Sequence, residues 1–237
     1  MPHHEAPAQH EHHPGHEEAR ARLPLIGEEA PSFSAETTQG RVNFPEGYRG
    51  KWVILFSHPA DFTPVCTTEF IAFARLQDDL ERLGCELIGL SIDSLYSHIA
   101  WLRTIESRIR YRGEAAPEIR FPVIADLSMK VAAKFGMIHP GASTTSAVRA
   151  VFVIDPEAKV RAILYYPMQC GRSMGEIKRL LIALQTADAQ QVATPADWQP
   201  GEEVIVPPPK TMQAAEARLE EGYQCLDWFM CLKRPSS

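Results

Sequence analysis

A cysteine placed at the start of a predicted helix is the feature of this sequence with the clearest chemistry. Cys66 ends the segment PADFTPVC, residues 59–66, which follows shortly after the apolar run WVILF. Thr63 is a favoured N-cap residue, and Pro64 suits the first helical position because proline has no N–H to leave unpaired. Free N–H groups and the helix dipole at this end favour a thiolate over a thiol. The segment therefore predicts a nucleophile at Cys66, while a small core cysteine is the alternative that position alone leaves open.

The composition limits the classes of protein to be considered. The 237 residues are 45% hydrophobic with a net charge of −6, which suits one large domain with an appendage, or two small domains. The negative charge gives no reason to expect nucleic-acid binding, and no apolar run approaches the length of a membrane span. No secretory signal is visible, so we expect a cytoplasmic protein. Five scattered cysteines argue against a structural disulfide framework and favour redox, catalytic or metal-binding roles.

The apolar pattern predicts strands that alternate with helices, followed by a hairpin and a final helix. This order indicates an α/β fold, a mixed sheet flanked by helices. A polar connection is expected at 108–120. The predicted strands are 51–57, 86–92, 121–125, 148–154 and 159–165, with a further hairpin at 34–44; the predicted helices are 67–83, one capped at 93–94 and ending near 107, 127–135 and 173–184.

Both ends of the chain differ in composition from the middle. Residues 1–20 carry six histidines and are predicted to be a disordered, solvated tail, with adventitious Ni, Cu or Zn binding as the alternative. Residues 22–190 form the predicted main domain, and 191–237 a C-terminal arm with a helix at 212–221. The apolar residues of the arm have too few partners within it, so they should pack on the main domain or on a second subunit. Cys225 and Cys231, six apart in this arm, suggest an accessible dithiol.

The spacing Pro-x-x-x-Thr-x-x-Cys, within the longer stretch FSHPADFTPVCTTE at 56–69, resembles the active-site signature of the peroxiredoxins. These are thiol peroxidases with a thioredoxin-like fold. The resemblance implies that fold for 22–190, and it implies that Cys66 is the peroxidatic cysteine. Its sulfur would attack a peroxide oxygen and become a sulfenic acid, with neither cofactor nor metal.

The same resemblance assigns further residues to the peroxide pocket. Thr63 would offer its hydroxyl to the substrate, and Pro59 would shield the thiolate from water. Arg149 and Arg172 match arginines of the family that stabilise the thiolate and the transition state, although either alone would be interpreted as a surface charge. His58 would lie near the pocket, with a structural histidine as the alternative. Glu69, one turn past the cysteine, is interpreted as electrostatic support for the helix and not as a catalytic group.

A sulfenic acid needs a second thiol, and four other cysteines are candidates. Cys85 is expected in the core and Cys170 in a packing role. The segments TPADW at 194–198 and GEEVIVPPP at 201–209, with the arm cysteines, resemble the archaeal-type branch of the one-cysteine peroxiredoxin group over residues 22–237. That resemblance implies that Cys231 resolves Cys66 of a partner subunit, with Cys225 as an alternate partner. It also implies dimers assembled into a decameric ring and regeneration by a thiol reductant such as thioredoxin.

Two rival functions compete with this interpretation, besides the metal binding by the tail. A thioredoxin-like oxidoreductase normally uses Cys-x-x-Cys, which this sequence lacks. A holdase chaperone or redox scaffold, driven by oligomerisation of the arm, remains as a second activity. Some animal relatives carry Gly-x-Ser-x-Gly and are credited with phospholipase activity, but the matching stretch RGKWV at 49–53 has no serine, so no such esterase chemistry is predicted.

Overall fold

A seven-stranded mixed sheet forms the centre of this computed structural model, which describes residues 23–235. The predicted His-rich tail at 1–20 therefore lies outside the described residues. The sheet has the order β2-β1-β7-β4-β3-β8-β9. Its strands are β1 (Phe33–Thr37), β2 (Gly40–Phe44), β3 (Trp52–Ser57), β4 (Cys85–Ser91), β7 (Val123–Ala125), β8 (Arg149–Ile154) and β9 (Val160–Tyr166).

The central strand, β3, carries the chain into the candidate site. All six of its residues are buried, as expected for a strand covered on both faces. It runs parallel to β4, with Trp52 opposite Cys85, and antiparallel to β8, with Val53 opposite Ile154. The carboxyl end of β3 therefore lies beside the amino end of β8.

Helices cover both faces of the sheet and enclose two apolar cores. The helices are α1 (Pro64–Arg82), α2 (Leu95–Arg108), α3 (Lys130–Lys134), α4 (Met174–Gln190) and α5 (Met212–Arg218), and a 3-10 turn spans Glu46–Tyr48. One core joins α1, α2 and α4 to the sheet through residues such as Phe56, Phe70 and Leu181. The other lies under α3 and the β1–β2 hairpin, around Phe44 and Phe135. The predicted mixed α/β sheet flanked by helices is confirmed.

Several predicted boundaries were wrong. The helix expected at 127–135 is only α3, which starts after Met129 adopts a left-handed conformation at φ 56°. The helix expected at 173–184 is α4, which continues to Gln190. The polar connection at 108–120 contains a small hairpin, β5 (Arg110–Tyr111) with β6 (Glu114–Ala115). By contrast, α2 starts as predicted, with the Ser94 hydroxyl accepting from the Ser97 N–H at 3.2 Å.

The C-terminal arm has more structure than its sequence indicates. It forms a three-stranded antiparallel sheet of β10 (Val204–Val206), β12 (Met230–Lys233) and β11 (Gln224–Asp227). Trp198 and Val204 are buried with Ala183 and Val192, so part of the arm packs on the end of α4. Other apolar side chains of the arm stay exposed, namely Met212, Leu219, Leu226, Trp228 and Phe229. Within residues 23–235, none of the helices is both long and apolar enough to cross a bilayer.

Candidate active site

Cys66 sits in the first turn of α1, as its spacing predicted. Thr63 has extended backbone angles and Pro64 opens the helix. The Cys66 side chain is fully buried. Thr63 occupies the N-cap position, but its hydroxyl donates to the Ala60 carbonyl at 2.9 Å instead of accepting from the helix. The expected side-chain cap is therefore absent, and the lone pairs of Oγ1 remain as acceptors.

Arg149, the first residue of β8, brings a cation to the sulfur of Cys66. Its Nη1 lies 3.3 Å from Sγ and donates to Glu69 Oε2 at 2.6 Å. The remaining donors, Nε and Nη2, are held by the Met168 carbonyl at 3.0 and 2.8 Å. This fork fixes the guanidinium plane, and a guanidinium in contact with sulfur favours the thiolate.

Arg172 is also buried, but its hydrogen bonds run to groups other than the sulfur. Its Nε and Nη2 donate to the two Glu69 oxygens at 2.9 and 2.6 Å. Nη1 donates to the carbonyls of Ser57 at 2.8 Å and Ala150 at 3.0 Å. Arg172 therefore links the end of β3, the start of β8 and α1, and it shares the Glu69 carboxylate with Arg149.

Glu69 has a larger part in the site than its sequence position indicated. Its side chain is 2% exposed and accepts hydrogen bonds from both guanidinium groups. Two buried cations and one carboxylate leave one positive charge beside the sulfur, which a Cys66 thiolate balances. The sequence signal that could have revealed this role is the position of Glu69, three residues after Cys66 and on the same face of the helix.

A second buried polar cluster lies behind the loop between β3 and α1. His58 Nε2 is 2.9 Å from Asp61 Oδ1, and His98 Nδ1 is 2.9 Å from Asp61 Oδ2. Burial lowers the pKa of His58, and hydrogen bonding with Asp61 only partly opposes this. Burial would raise the pKa of Asp61, but hydrogen bonds from both histidines outweigh it and lower that pKa. Pro59, next to His58, is buried as well.

His58 was predicted from the sequence, whereas Asp61 and His98 were missed. His98 lies on α2, far along the chain, and only the tertiary fold brings it to Asp61. Among residues 23–235, these three side chains are the group whose ligand atoms lie close enough to share a metal ion, within 4.8 Å. Their contacts are at hydrogen-bond distances, so each polar atom of the carboxylate already has a partner.

The other cysteines fall into two classes. Cys85 is buried, and burial raises the pKa of its thiol, which makes it unreactive. Cys170 is exposed, so the expected packing role is wrong. Cys225 and Cys231 face each other across β11 and β12 and form a disulfide with Cα atoms 4.0 Å apart. Cys225 is half-buried and Cys231 is 1% exposed, so the predicted dithiol is present here as a disulfide that is reached from the Cys225 side.

Comparisons with known proteins agree with this arrangement. Residues 26–163 match the model of the AhpC/TSA family, and residues 183–222 match the C-terminal domain of 1-Cys peroxiredoxin. A peroxiredoxin of Methanosarcina mazei is 64% identical over 215 residues, covering 90% of this chain and 98% of the relative. The chain belongs to the peroxiredoxin family. A second peroxiredoxin, from Aquifex aeolicus, is 53% identical, covering 90% of this chain and 97% of the relative.

Solved structures of peroxiredoxins share the fold. The yeast mitochondrial 1-Cys peroxiredoxin superposes with a TM-score of 0.78 at 36% identity, covering 90% of this chain and 100% of its own. Peroxiredoxin 6 of Arenicola marina, solved as a cysteine-to-serine mutant, superposes with a TM-score of 0.77 at 33% identity, covering 90% of this chain and 99% of its own. The expected thioredoxin-like peroxiredoxin fold with a C-terminal extension is therefore confirmed. This peroxiredoxin is a thiol-dependent peroxidase, an oxidoreductase.

Proposed function

We propose that this peroxiredoxin reduces hydrogen peroxide and small organic hydroperoxides through Cys66. The observation that carries the proposal is the 3.3 Å contact between Arg149 Nη1 and Cys66 Sγ at the start of α1. A cation and a helix N-terminus acting on one sulfur favour the nucleophilic thiolate. The established family supplies the reaction class, and the geometry supports this cysteine as the reacting one.

The chemical step follows from the charges of the site. The Cys66 thiolate attacks one peroxide oxygen, the O–O bond breaks, and the second oxygen leaves and takes a proton to become water or an alcohol. The sulfur is oxidised to a sulfenic acid as the peroxide is reduced. Negative charge moves from sulfur to the leaving oxygen, so Arg149, in contact with the sulfur, stabilises it throughout.

The remaining pocket residues have proposed roles in binding. The lone pairs of the Thr63 hydroxyl accept the peroxide proton, and His58 lies on the loop that closes the pocket. Pro59 excludes water from the thiolate. Arg172 positions Arg149 through Glu69, which the hydrogen bonds of both guanidinium groups to that carboxylate support.

Cys231 is the proposed resolving thiol, with Cys225 as its exchange partner. The Cys66 sulfenic acid and the Cys231 thiol of a partner subunit would condense to a disulfide and release water. Attack by the Cys225 thiol on Cys231 would then free Cys66 and leave a Cys225–Cys231 disulfide. The disulfide between β11 and β12 supports this order, because it is the expected end product before external reduction.

Regeneration requires an external dithiol that donates two electrons and two protons to the Cys225–Cys231 disulfide. The yeast relative was studied for thiol resolution via glutathione and thioredoxin systems. We propose a thioredoxin-type reductant here, in the cytoplasm, acting on dimers assembled into a decameric ring.

The test compares peroxide consumption, under dithiothreitol and under a thioredoxin system, in wild type, Cys66→Ser, Cys231→Ser and Cys225→Ser. Two results together support the cycle. Cys66→Ser loses activity, and oxidised wild type forms a disulfide-linked dimer on non-reducing gels that Cys231→Ser lacks. Accumulation of the linked dimer in Cys225→Ser supports the exchange step. Cys85→Ser is the matched control, because that thiol is buried. Full activity in Cys66→Ser would reject the proposal and leave the holdase alternative.

A further inference from the structure

Cys170 is an exposed thiol to which the cycle above gives no role. Among residues 23–235 the free cysteines are Cys66, Cys85 and Cys170, and only Cys170 is exposed. It lies in the connection between β9 and α4. The Cys170 N–H donates to the Pro167 carbonyl at 3.1 Å, so a hydrogen-bonded turn holds this residue at the surface. Its thiol is therefore accessible to other sulfur groups.

One guanidinium group joins this connection to the Cys66 sulfur. Arg149 donates to the Met168 carbonyl from Nε at 3.0 Å and from Nη2 at 2.8 Å. Its Nη1 lies 3.3 Å from Cys66 Sγ. Met168 is two residues before Cys170, so the path from the Cys66 sulfur to Cys170 crosses one guanidinium group and two residues of chain.

The connection also contacts the helix that carries Cys66. Gly171, the residue after Cys170, lies against Val65 of α1. A β-carbon at the glycine would be 3.7 Å from Val65 Cγ1. Val65 directly precedes Cys66. The two segments are therefore in contact at the residues adjacent to the two cysteines.

The oxidised arm creates a need for a further thiol. In this structure Cys66 is a free thiol, while Cys225 and Cys231 already form a disulfide. In the proposed cycle this is the state after one turnover, before an external reductant acts. A second peroxide molecule would then oxidise Cys66 with no arm thiol left to resolve it. A sulfenic acid that meets more peroxide becomes a sulfinic acid, which thiols do not reduce.

We propose that Cys170 is a second resolving residue, which captures the Cys66 sulfenic acid within one subunit when the arm is oxidised. The Cys170 thiol attacks the sulfenic sulfur, an S–S bond forms, and the S–O bond breaks. The oxygen leaves as water with the hydrogen of the sulfenic acid and the proton of the thiol. Two molecules of hydrogen peroxide and four thiols then give two disulfides and four molecules of water. The inference rests on the proposed peroxidase function and extends it to a second oxidation of the same chain.

Pairing requires the first turn of α1 to open. Cys66 is fully buried, and a disulfide needs Cα atoms within about 7 Å of each other. At the start of that turn, the Thr63 carbonyl accepts from the Thr67 N–H at 3.0 Å and from the Thr67 hydroxyl at 2.8 Å. Breaking these two bonds releases Cys66 towards the neighbouring connection, where the exposed Cys170 needs no opening of its own.

The first test adds three equivalents of hydrogen peroxide per chain to reduced wild type, with no reductant present. We expect two equivalents to be consumed, and four of the five cysteines to be lost as thiols under denaturing conditions. Digestion and mass spectrometry should identify a peptide that links Cys66 to Cys170, in protein that runs as a monomer on non-reducing gels. Dithiothreitol should then restore all five thiols and the full rate of peroxide consumption. This measurement needs no variant.

Cys170→Ser removes the proposed second resolving thiol. It should consume all three equivalents, because the Cys66 sulfenic acid formed by the second is oxidised to a sulfinic acid by the third. Dithiothreitol should then leave Cys66 heavier by two oxygen atoms, and peroxide consumption should stay lost. Gln169→Ser changes the exposed neighbour in the same turn without removing a thiol. It is the matched control and should recover as wild type does.

Three results would overturn the proposal. They are full recovery of Cys170→Ser, a sulfinic Cys66 in wild type beside a free Cys170 thiol, and a Cys66–Cys170 peptide found only in a linked dimer. In each of them the first equivalent still oxidises Cys66, so the peroxidase function stands. If the first equivalent leaves Cys66 unoxidised, the proposed function itself fails.

Discussion

Glu69 shows how a single residue can organise a site without reacting. Its two oxygens accept from Arg149 and from Arg172, so one carboxylate holds two guanidinium groups in place. All three side chains are almost fully buried. Removing one partner from such a network leaves buried charge uncompensated, which costs more than the network contributes when intact.

At this scale we predict that Glu69→Gln destabilises the fold and slows peroxide reduction. The amide keeps the shape but not the charge, so the free energy of unfolding should fall by about 3–5 kcal/mol, because one of the two buried arginines then has no counterion. Urea denaturation of the reduced protein measures the loss. Glu157→Gln, at an exposed position, is the matched control and should change stability by less than about 0.5 kcal/mol. Equal midpoints for the two variants would contradict the network.

The first turn of α1 is the element that must move during the proposed cycle. Cys66 is fully buried, and a disulfide requires Cα atoms within about 7 Å of each other. Cys231 is buried too, in β12 of the arm. Neither thiol can reach the other without local opening. The conformation in which Cys66 contacts Arg149 therefore differs from the one in which Cys66 forms a disulfide with Cys231.

We therefore predict that residues 63–70 lose amide protection in the Cys66–Cys231 disulfide form. Cys225→Ser traps this form, because the exchange thiol is missing. Hydrogen exchange followed by mass spectrometry should show faster exchange over 63–70 than in the reduced protein, as backbone hydrogen bonds of the first turn break. Peptides from β3 and β8 serve as internal controls and should not change. Identical protection of 63–70 in both forms would reject local unwinding.

The elements of the main sheet could be predicted from sequence because local signals and burial agree there. The Thr63-Pro64 start of α1 and the Ser94 cap of α2 are local, and each lies where expected. The arm sheet could not be predicted in this way, since β10 pairs with β12 across a long connection and only tertiary contact defines it. For the same reason Asp61 and His98 were missed, while Cys66 was named from its own segment.

At the scale of the whole molecule, the buried histidine cluster makes stability depend on pH. Burial lowers the pKa of His58 from its value of 6.5 in the unfolded chain. Just below that pH, His58 is therefore protonated in the unfolded chain but still neutral in the folded protein. The contribution of neutral His58 to the free energy of unfolding is fully present above about pH 6.5. It is lost as the pH falls through the pKa that His58 has in the folded protein. The lowered pKa of Asp61 acts with the same sign at more acidic pH.

The free energy of unfolding should therefore decrease between about pH 7 and pH 5, and His58→Gln should reduce that slope. Glutamine keeps an amide N–H near the position of Nε2 and does not titrate. Urea midpoints measured at several pH values in this range give the slope directly. His139→Gln, which alters an exposed ring, should leave the slope as in wild type. A wild-type slope of zero, or an unchanged slope in His58→Gln, would contradict this account.

The arm presents an apolar groove of about 520 Å³ lined in part by Met212, Leu219 and Trp228. Nearby Leu226 and Phe229 are 72% and 52% exposed, although Trp198 and Val204 of the same arm are buried. We predict that these exposed apolar side chains form an interaction surface, and a second copy of the chain is the partner that the proposed resolution requires.

Replacing Leu226 and Phe229 together with serine should therefore weaken the proposed oligomer. We expect light scattering coupled to gel filtration to give a smaller mass for Leu226→Ser/Phe229→Ser than for wild type at equal concentration, because less apolar area is buried on association. Ile26→Ser is the matched control, since Ile26 is 66% exposed but lies outside the arm. The reduced double variant should still react with one equivalent of peroxide at Cys66, yet fail to form the linked dimer. An unchanged mass would show that subunits associate through another surface.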